Sequence, residues 1–129
     1  MSLLNKIFGN TKALKNEKVL PWIDLVSIDQ LKTIEERSAT KTQIIFKHST
    51  RCGISRMVKK QFEADYNLAE HAADLYYLDL IAHRDVSNQI ASSFSVLHES
   101  PQILVIKNQS VIAHASHGAI GTIDLNQFV

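Results

Sequence analysis

The sequence predicts an α/β fold, in which a mixed central sheet carries helices on both faces. Segments crowded with β-branched and aromatic residues alternate with segments of helical periodicity along most of the chain. Two adjacent apolar runs near the C-terminal end are typical of a hairpin. Alternating strands and helices favour parallel pairing through right-handed crossovers, whereas a hairpin adds antiparallel strands. The sheet is therefore expected to be mixed, with helices covering both of its faces.

The N-terminal half begins with the apolar residues 19–24, which predict a short edge strand or an extended segment. Ser27 and Gln30 then have the three-residue spacing of a capping box, and the periodicity of a helix continues to about Arg37. Residues 42–48 follow, and their crowded β-branched and aromatic side chains predict an inner strand.

The remaining elements complete the alternation and add the hairpin. In chain order they are a helix over 54–66, a strand over 74–81, a helix over about 85–94, hairpin strands over 102–107 and 111–115, and a short closing helix over about 120–128. We expect residues 1–18 to form an N-terminal arm and residues 19–129 to form one domain, because a chain of 129 residues has an ordinary length for a single hydrophobic core.

Composition and charge exclude several classes of function. The chain carries 14 basic and 13 acidic side chains, so it has no broad positive field that would attract nucleic acid. Its longest apolar runs are far shorter than the roughly 18 residues that a membrane span needs. Its single cysteine excludes an intramolecular disulfide, and its first residues lack the apolar core of a secretory signal. We therefore expect a cytoplasmic protein.

The single cysteine, Cys52, falls where the strand over 42–48 passes into the next helix. A helix N-terminus presents unpaired N–H groups and the positive end of the helix dipole, which stabilise a thiolate. Cysteines in such positions have lowered pKa values, and the thiolate is the nucleophilic form. Lone cysteines are also common as small buried hydrophobic residues, so position alone leaves both interpretations open.

Three neighbours of Cys52 are candidates for stabilising its thiolate. Arg51 precedes it and supplies positive charge, while Gly53 follows it and leaves the approach to the sulfur free of a side chain. Ser55 stands three residues after Cys52, at the position of the second thiol in a C-x-x-C motif. A serine there cannot resolve a mixed disulfide. It either donates a hydrogen bond to the thiolate or caps the helix, and both interpretations stay open.

Histidines and one proline complete the candidate residues. His48 ends the strand before Cys52, where it either tunes the thiol electrostatically or lies partly exposed at the strand end. His114 and His117 have an H-x-x-H spacing, but no second cysteine or acidic cluster completes a zinc site, so we expect no metal. Pro101 stands at the start of the hairpin, and the general statistics of X–Pro bonds favour a trans peptide there.

The chain resembles the YtxJ-type monothiol bacilliredoxins, proteins of the bacillithiol system with a thioredoxin-like three-layer fold. The residues that carry the resemblance are FKHSTRCGIS at 46–55, SPQILVIKNQ at 100–109 and SHGAI at 116–120, and the likeness covers nearly the whole chain. The reactive cysteine of that family lies in a T-C-P-I-S sequence. This chain therefore has Arg51 in place of a frequent threonine and Gly53 in place of proline.

The resemblance implies that Cys52 is the active thiol and Pro101 the cis-proline facing it, with Ser100 and Pro101 shaping the edge where substrate docks. It implies a monothiol thiol–disulfide oxidoreductase that removes bacillithiol, or another low-molecular-weight thiol, from S-thiolated client proteins. That thiol is a co-substrate, and no tightly bound cofactor is expected. The alternatives are a non-catalytic thioredoxin-like binding module and a glutaredoxin-like iron–sulfur carrier.

Overall fold

The computed structural model describes residues 19–129, in which five strands form one sheet with α-helices on its two faces. The predicted arm over residues 1–18 lies outside the described residues. In chain order the elements are β1 (Trp22–Asp24), α1 (Asp29–Arg37), β2 (Thr42–His48), α2 (Gly53–Asp65), β3 (Ala73–Asp79), α3 (Arg84–Phe94), β4 (Gln102–Lys107), β5 (Ser110–Ser116) and two 3-10 segments, His117–Thr122 and Leu125–Phe128. Within this part of the chain, no helix is long and apolar enough to cross a membrane.

The sheet has the strand order β1-β3-β2-β4-β5. Strand β3 pairs in parallel with β1 and β2, whereas β4 pairs antiparallel with β2 and β5. The predicted mixed sheet is therefore confirmed, and strands β4 and β5 form the predicted hairpin. Strand β2 lies at the centre, and all of its residues are buried.

Each face of the sheet has its own apolar core, because successive residues of a strand point to opposite faces. Ile45 of β2 packs with the buried residues of α1 and α3, such as Leu31 and Ile90. Its neighbours Ile44 and Phe46 pack with α2 and the C-terminal segments. The predicted placement of helices on both faces is confirmed.

The capping box predicted before α1 forms in only one direction. Gln30 Oε1 accepts the N–H of Ser27 at 3.0 Å and the N–H of Val26 at 2.7 Å. The second bond of the box is missing, because the backbone N–H of Gln30 donates to the Ser27 carbonyl and not to the Ser27 hydroxyl. Helix α1 then begins at Asp29, with Ile28 already in a helical conformation.

The prediction of a closing helix over 120–128 is wrong. The chain instead forms its two short 3-10 segments, with extended backbone at Ile123 and Asp124 between them. Gly121 and the β-branched residues around it have low helix propensity. After the break, the Asp124 carboxylate accepts the N–H of Asn126 at 3.1 Å and so opens the second segment.

A charged cluster at the N-terminal end of β3 joins three elements. Asp74 Oδ2 accepts hydrogen bonds from Arg37 Nε at 2.7 Å and Gln43 Nε2 at 2.8 Å, and Oδ1 lies 3.1 Å from Lys41 Nζ. Burial disfavours the charged carboxylate, but the hydrogen bonds from Arg37, Gln43 and Lys41 outweigh burial and lower the pKa of Asp74. The cluster therefore fastens the end of α1 to β2 and β3.

Asp74→Asn is expected to lower the free energy of unfolding at pH 7 by about 1–3 kcal/mol, because an amide accepts these charge-assisted hydrogen bonds less strongly. Folding lowers the pKa of Asp74, so its contribution is complete above the unfolded value of about 3.9 and is lost as pH falls through the folded value. Urea titrations of both proteins from pH 7 to about pH 2 measure this. Equal stability at pH 7 would contradict the cluster's role.

Candidate active site

Cys52 lies at the N-terminus of α2, immediately before the first helical residue, Gly53. Its backbone is extended, its N–H donates to the Ser49 carbonyl at 3.2 Å, and its own carbonyl accepts from Arg56 N–H at 3.1 Å. The residue is half-buried. The predicted position at a strand-to-helix junction is confirmed. This position places the thiol at the positive end of the α2 dipole.

A buried hydroxyl fastens the turn that carries Cys52. Ser55 is fully buried, its Oγ accepts the Ser49 N–H at 3.1 Å, and the same oxygen lies 2.8 Å from His48 Nδ1. The Ser55 hydroxyl therefore bonds an N–H group of the turn before α2 and does not cap the helix itself. Within residues 19–129 it makes no hydrogen bond to the Cys52 sulfur. Stabilisation of the thiolate by Ser55 accordingly stays a prediction.

His48 is buried, so its interpretation as a partly exposed strand-end residue is wrong. Its ring packs against the Tyr77 ring with centroids 5.7 Å apart. Burial is the largest cause that lowers the pKa of His48, and the nearby Lys59 cation lowers it further. A neutral imidazole accepts a hydrogen bond from the Ser55 hydroxyl at Nδ1, while the serine oxygen accepts one from the Ser49 N–H.

Gly53 and Arg51 flank Cys52 at the surface, and both are exposed. The φ angle of Gly53 lies outside the left-handed region, so the turn does not depend on the conformational freedom of glycine. A Cβ at this position would have only the Arg56 guanidinium near it, at 3.8 Å. Among the described residues, Arg51 makes no ion pair. The roles assigned to Gly53 and Arg51 toward the thiolate stay predictions.

The loop before β4 lies at the same edge of the sheet as Cys52. Lys47 of β2 pairs with Gln102 of β4, so the preceding Pro101 lies beside the end of β2. The Ser100–Pro101 peptide is cis, as the family resemblance implies and against the general preference for trans. Pro101 is buried, and Ser100 Oγ is a buried atom without a hydrogen-bond partner in the described part of the chain. Substrate binding by Ser100 and Pro101 stays a prediction.

A buried lysine attaches this loop to β2. The sequence suggests Lys47 only as a positive charge near Cys52 and does not predict its burial or this attachment. Lys47 is fully buried, and its Nζ lies 2.6 Å from His98 Nδ1 and donates to Gln102 Oε1 at 3.2 Å. Burial lowers the pKa of Lys47 to about 8. Partial desolvation and the Lys47 cation lower the pKa of His98, which favours a neutral ring that accepts from the ammonium. The only sequence signal was a lysine within a run of residues that otherwise reads as a buried strand.

The H-x-x-H pair does not form part of this site. His114 lies in β5 and His117 begins the first 3-10 segment, and both are exposed. Over residues 19–129, no group of three or more His, Cys, Asp or Glu side chains is arranged to hold a metal ion.

Comparisons with known proteins agree with this architecture. The family model described as monothiol bacilliredoxin BrxC matches residues 23–125, a range that contains Cys52, Ser55 and Pro101. A solved structure of a protein with a thioredoxin fold, assigned as an oxidoreductase, is 37% identical, with a TM-score of 0.69, and the match covers 82% of this chain and 91% of that chain.

Two thioredoxins of lower identity have the same fold. Malassezia sympodialis thioredoxin is 18% identical over 83% of this chain and 90% of its own, with a TM-score of 0.62. Schistosoma mansoni thioredoxin is 16% identical over 84% of this chain and 95% of its own, with a TM-score of 0.64. At these identities the likeness extends to the fold alone.

Ser55→Ala is expected to lower the free energy of unfolding by about 1–3 kcal/mol, because the Ser49 N–H and His48 Nδ1 both lose their partner. Ser92→Ala makes the same chemical change at an exposed position of α3 and is the matched control, expected within about 0.5 kcal/mol of wild type. Urea denaturation measures both. Equal stability of the two variants would show that the buried hydroxyl does not fasten the turn.

Lys47→Met is expected to change how stability depends on pH. The folded pKa of about 8 lies below the ordinary value of 10.5, so between these values the unfolded chain binds more protons and wild-type stability rises with pH. Methionine removes this slope. The free energy of unfolding of wild type minus that of the variant should rise by up to about 3 kcal/mol from pH 7 to about pH 10.5. A difference that stays constant in urea titrations across this range would contradict the burial of a charged Lys47.

Proposed function

The chain belongs to the monothiol bacilliredoxin family, and from this premise we propose that it removes bacillithiol, or a similar low-molecular-weight thiol, from mixed disulfides of client proteins. The family and the thioredoxin fold both support a redox function. The finer assignment rests on one observation. Cys52 is half-buried at a helix N-terminus, in a chain that has no second cysteine.

The proposed reaction is a thiol–disulfide exchange at Cys52. The Cys52 thiolate attacks the low-molecular-weight sulfur of the mixed disulfide, and a new S–S bond forms as the bond to the client sulfur breaks. The client leaves as a thiolate that takes a proton from water. The client is thereby reduced, and the disulfide passes unchanged in oxidation level to Cys52. The positive end of α2 stabilises the attacking thiolate.

Regeneration requires a thiol from outside the chain. Ser55 occupies the position of a resolving thiol, and a hydroxyl cannot displace sulfur from the adduct. An external low-molecular-weight thiol or a reductase must therefore attack the disulfide on Cys52 and return the free thiolate. No tightly bound cofactor takes part in either step, and a reducing cytoplasm would supply the external thiol.

The client is proposed to dock at the edge formed by Ser100 and Pro101. Pro101 precedes Gln102, the partner of Lys47, so this edge lies beside the end of the strand that leads to Cys52. On the other side of Cys52, Ile54 and Met57 are 63% and 72% exposed. Such exposed apolar residues beside a reactive group are typical of a surface that contacts another protein.

The proposed function is tested by incubating the protein with a bacillithiolated client and following the intact masses of both. We expect one equivalent of client to be freed per protein molecule, with the mass of bacillithiol added to Cys52 and no further release until an external thiol is supplied. Cys52→Ser is the control and should free none.

Each other outcome points away from the proposal. Release by Cys52→Ser, or continued turnover without added thiol, would contradict the mechanism. Cleavage of glutathione mixed disulfides alone would favour a monothiol glutaredoxin. Failure to reduce any mixed disulfide would favour the binding module, and the absorbance of an iron–sulfur cluster in freshly purified protein would favour the carrier.

A further inference from the structure

A charged groove runs along α2 from the position of Cys52. It has a volume of about 800 Å³, and Gly53 and Ile54 line the end that adjoins the cysteine. Four of the other lining residues carry charge, and these are Arg56, Lys59, Lys60 and Glu63. Cations therefore outnumber anions in this groove by three to one.

Lys59 and Glu63 compensate each other's charge. Lys59 Nζ lies 2.8 Å from Glu63 Oε2, and the same oxygen accepts a hydrogen bond from Trp22 Nε1 at 2.8 Å. Lys59 Nζ also lies over the rings of Trp22 and Tyr77, at 5.3 and 5.2 Å from their centroids. This pair is held against the sheet and adds no net charge to the groove.

The positive charges of Arg56 and Lys60 are not compensated, because neither side chain has a carboxylate partner among the described residues. Arg56 Nη1 donates to the Thr50 carbonyl at 3.3 Å, and Nη2 lies 3.8 Å from where a Cβ of Gly53 would be. The guanidinium is therefore held over the turn that carries Cys52, and most of its N–H donors remain for a ligand. Lys60 follows four residues later, on the same face of α2.

We propose that this groove binds the carboxylate-bearing part of the transferred low-molecular-weight thiol, so that the protein prefers mixed disulfides in which that thiol is anionic. The inference rests on the proposed function and adds to it a substrate class and the residues that recognise it. The fork of Arg56 donors suits a carboxylate, and the Lys60 ammonium adds a second positive charge along the groove.

The groove also determines which sulfur of the mixed disulfide is attacked. Carboxylates held by Arg56 and Lys60 place the low-molecular-weight half beside Cys52. The Cys52 thiolate then forms its S–S bond with that half, and the client sulfur leaves as a thiolate that takes a proton from water. Attack on this sulfur frees the client, whereas attack on the client sulfur would trap the client on Cys52.

The test uses one single-cysteine peptide joined by a disulfide to each of three probe thiols: mercaptosuccinate with two carboxylates, neutral 2-mercaptoethanol and cationic cysteamine. Intact masses give the rate of transfer of each probe to Cys52 in wild type, Arg56→Gln, Lys60→Gln and the double variant. We expect the double variant to transfer mercaptosuccinate about 3- to 20-fold more slowly than wild type, as for two exposed ion pairs. Transfer of 2-mercaptoethanol should change by less than about twofold, and added salt should shrink the effect on mercaptosuccinate.

Two controls separate recognition of the ligand from effects on the thiolate. Lys32→Gln removes the same charge from an exposed position of α1, on the other face of the sheet, and should leave all three rates unchanged. Alkylation by uncharged iodoacetamide should proceed equally in wild type and the groove variants. Equal losses for all three probes, with equal loss of alkylation, would overturn the proposal, because the cations would then act on the thiolate.

The remaining outcomes distinguish this inference from the function on which it rests. Unchanged transfer of mercaptosuccinate by the double variant would overturn the groove proposal and leave the oxidoreductase function intact. A wild-type protein that transfers none of the three probes would overturn both.

Discussion

The position of the Cys52 sulfur depends on one buried group, the hydroxyl of Ser55. This hydroxyl lies in the first turn of α2 and contacts both the end of β2, through His48, and the following turn, through Ser49. Strand, turn and helix are thus joined at one point, and Cys52 lies between them. Because Ser55 is fully buried, water cannot replace these hydrogen bonds. The position that holds a second thiol in dithiol oxidoreductases here fixes the geometry around a single one.

Strand β2 connects this cysteine turn to the loop that carries Pro101. Its last two residues point to opposite faces of the sheet. His48 contacts Ser55 of α2, while Lys47 contacts His98 and Gln102 at the start of β4. Both parts of the site are therefore attached to adjacent residues of the central strand. Since β2 is paired on both sides and wholly buried, the distance between the Cys52 turn and the Pro101 loop is set by the buried centre of the sheet.

The features that the sequence predicts well are those that local patterns determine. Cys52 could be placed at a helix start because a β-branched run and an amphipathic run adjoin it directly. The burial of His48 depends on how α2 packs over β2, and the contact between Lys47 and His98 joins residues 51 apart through the pairing of β2 with β4. Neither has a periodic signal. The closing helix predicted over 120–128 does not form, because a glycine and β-branched residues there favour two shorter turns.

Under the proposed function, Cys52 carries a low-molecular-weight thiol as a covalent intermediate. The most direct measurement is the mass of the Cys52 peptide from protein isolated from its native cells after brief oxidative stress, with acid quenching and maleimide blocking of free thiols. We expect part of the peptide to carry the mass of a small thiol less two hydrogens, and this mass to disappear on reduction. A Cys52 peptide found only in its maleimide-blocked form, while client proteins in the same cells are S-thiolated, would contradict the claim.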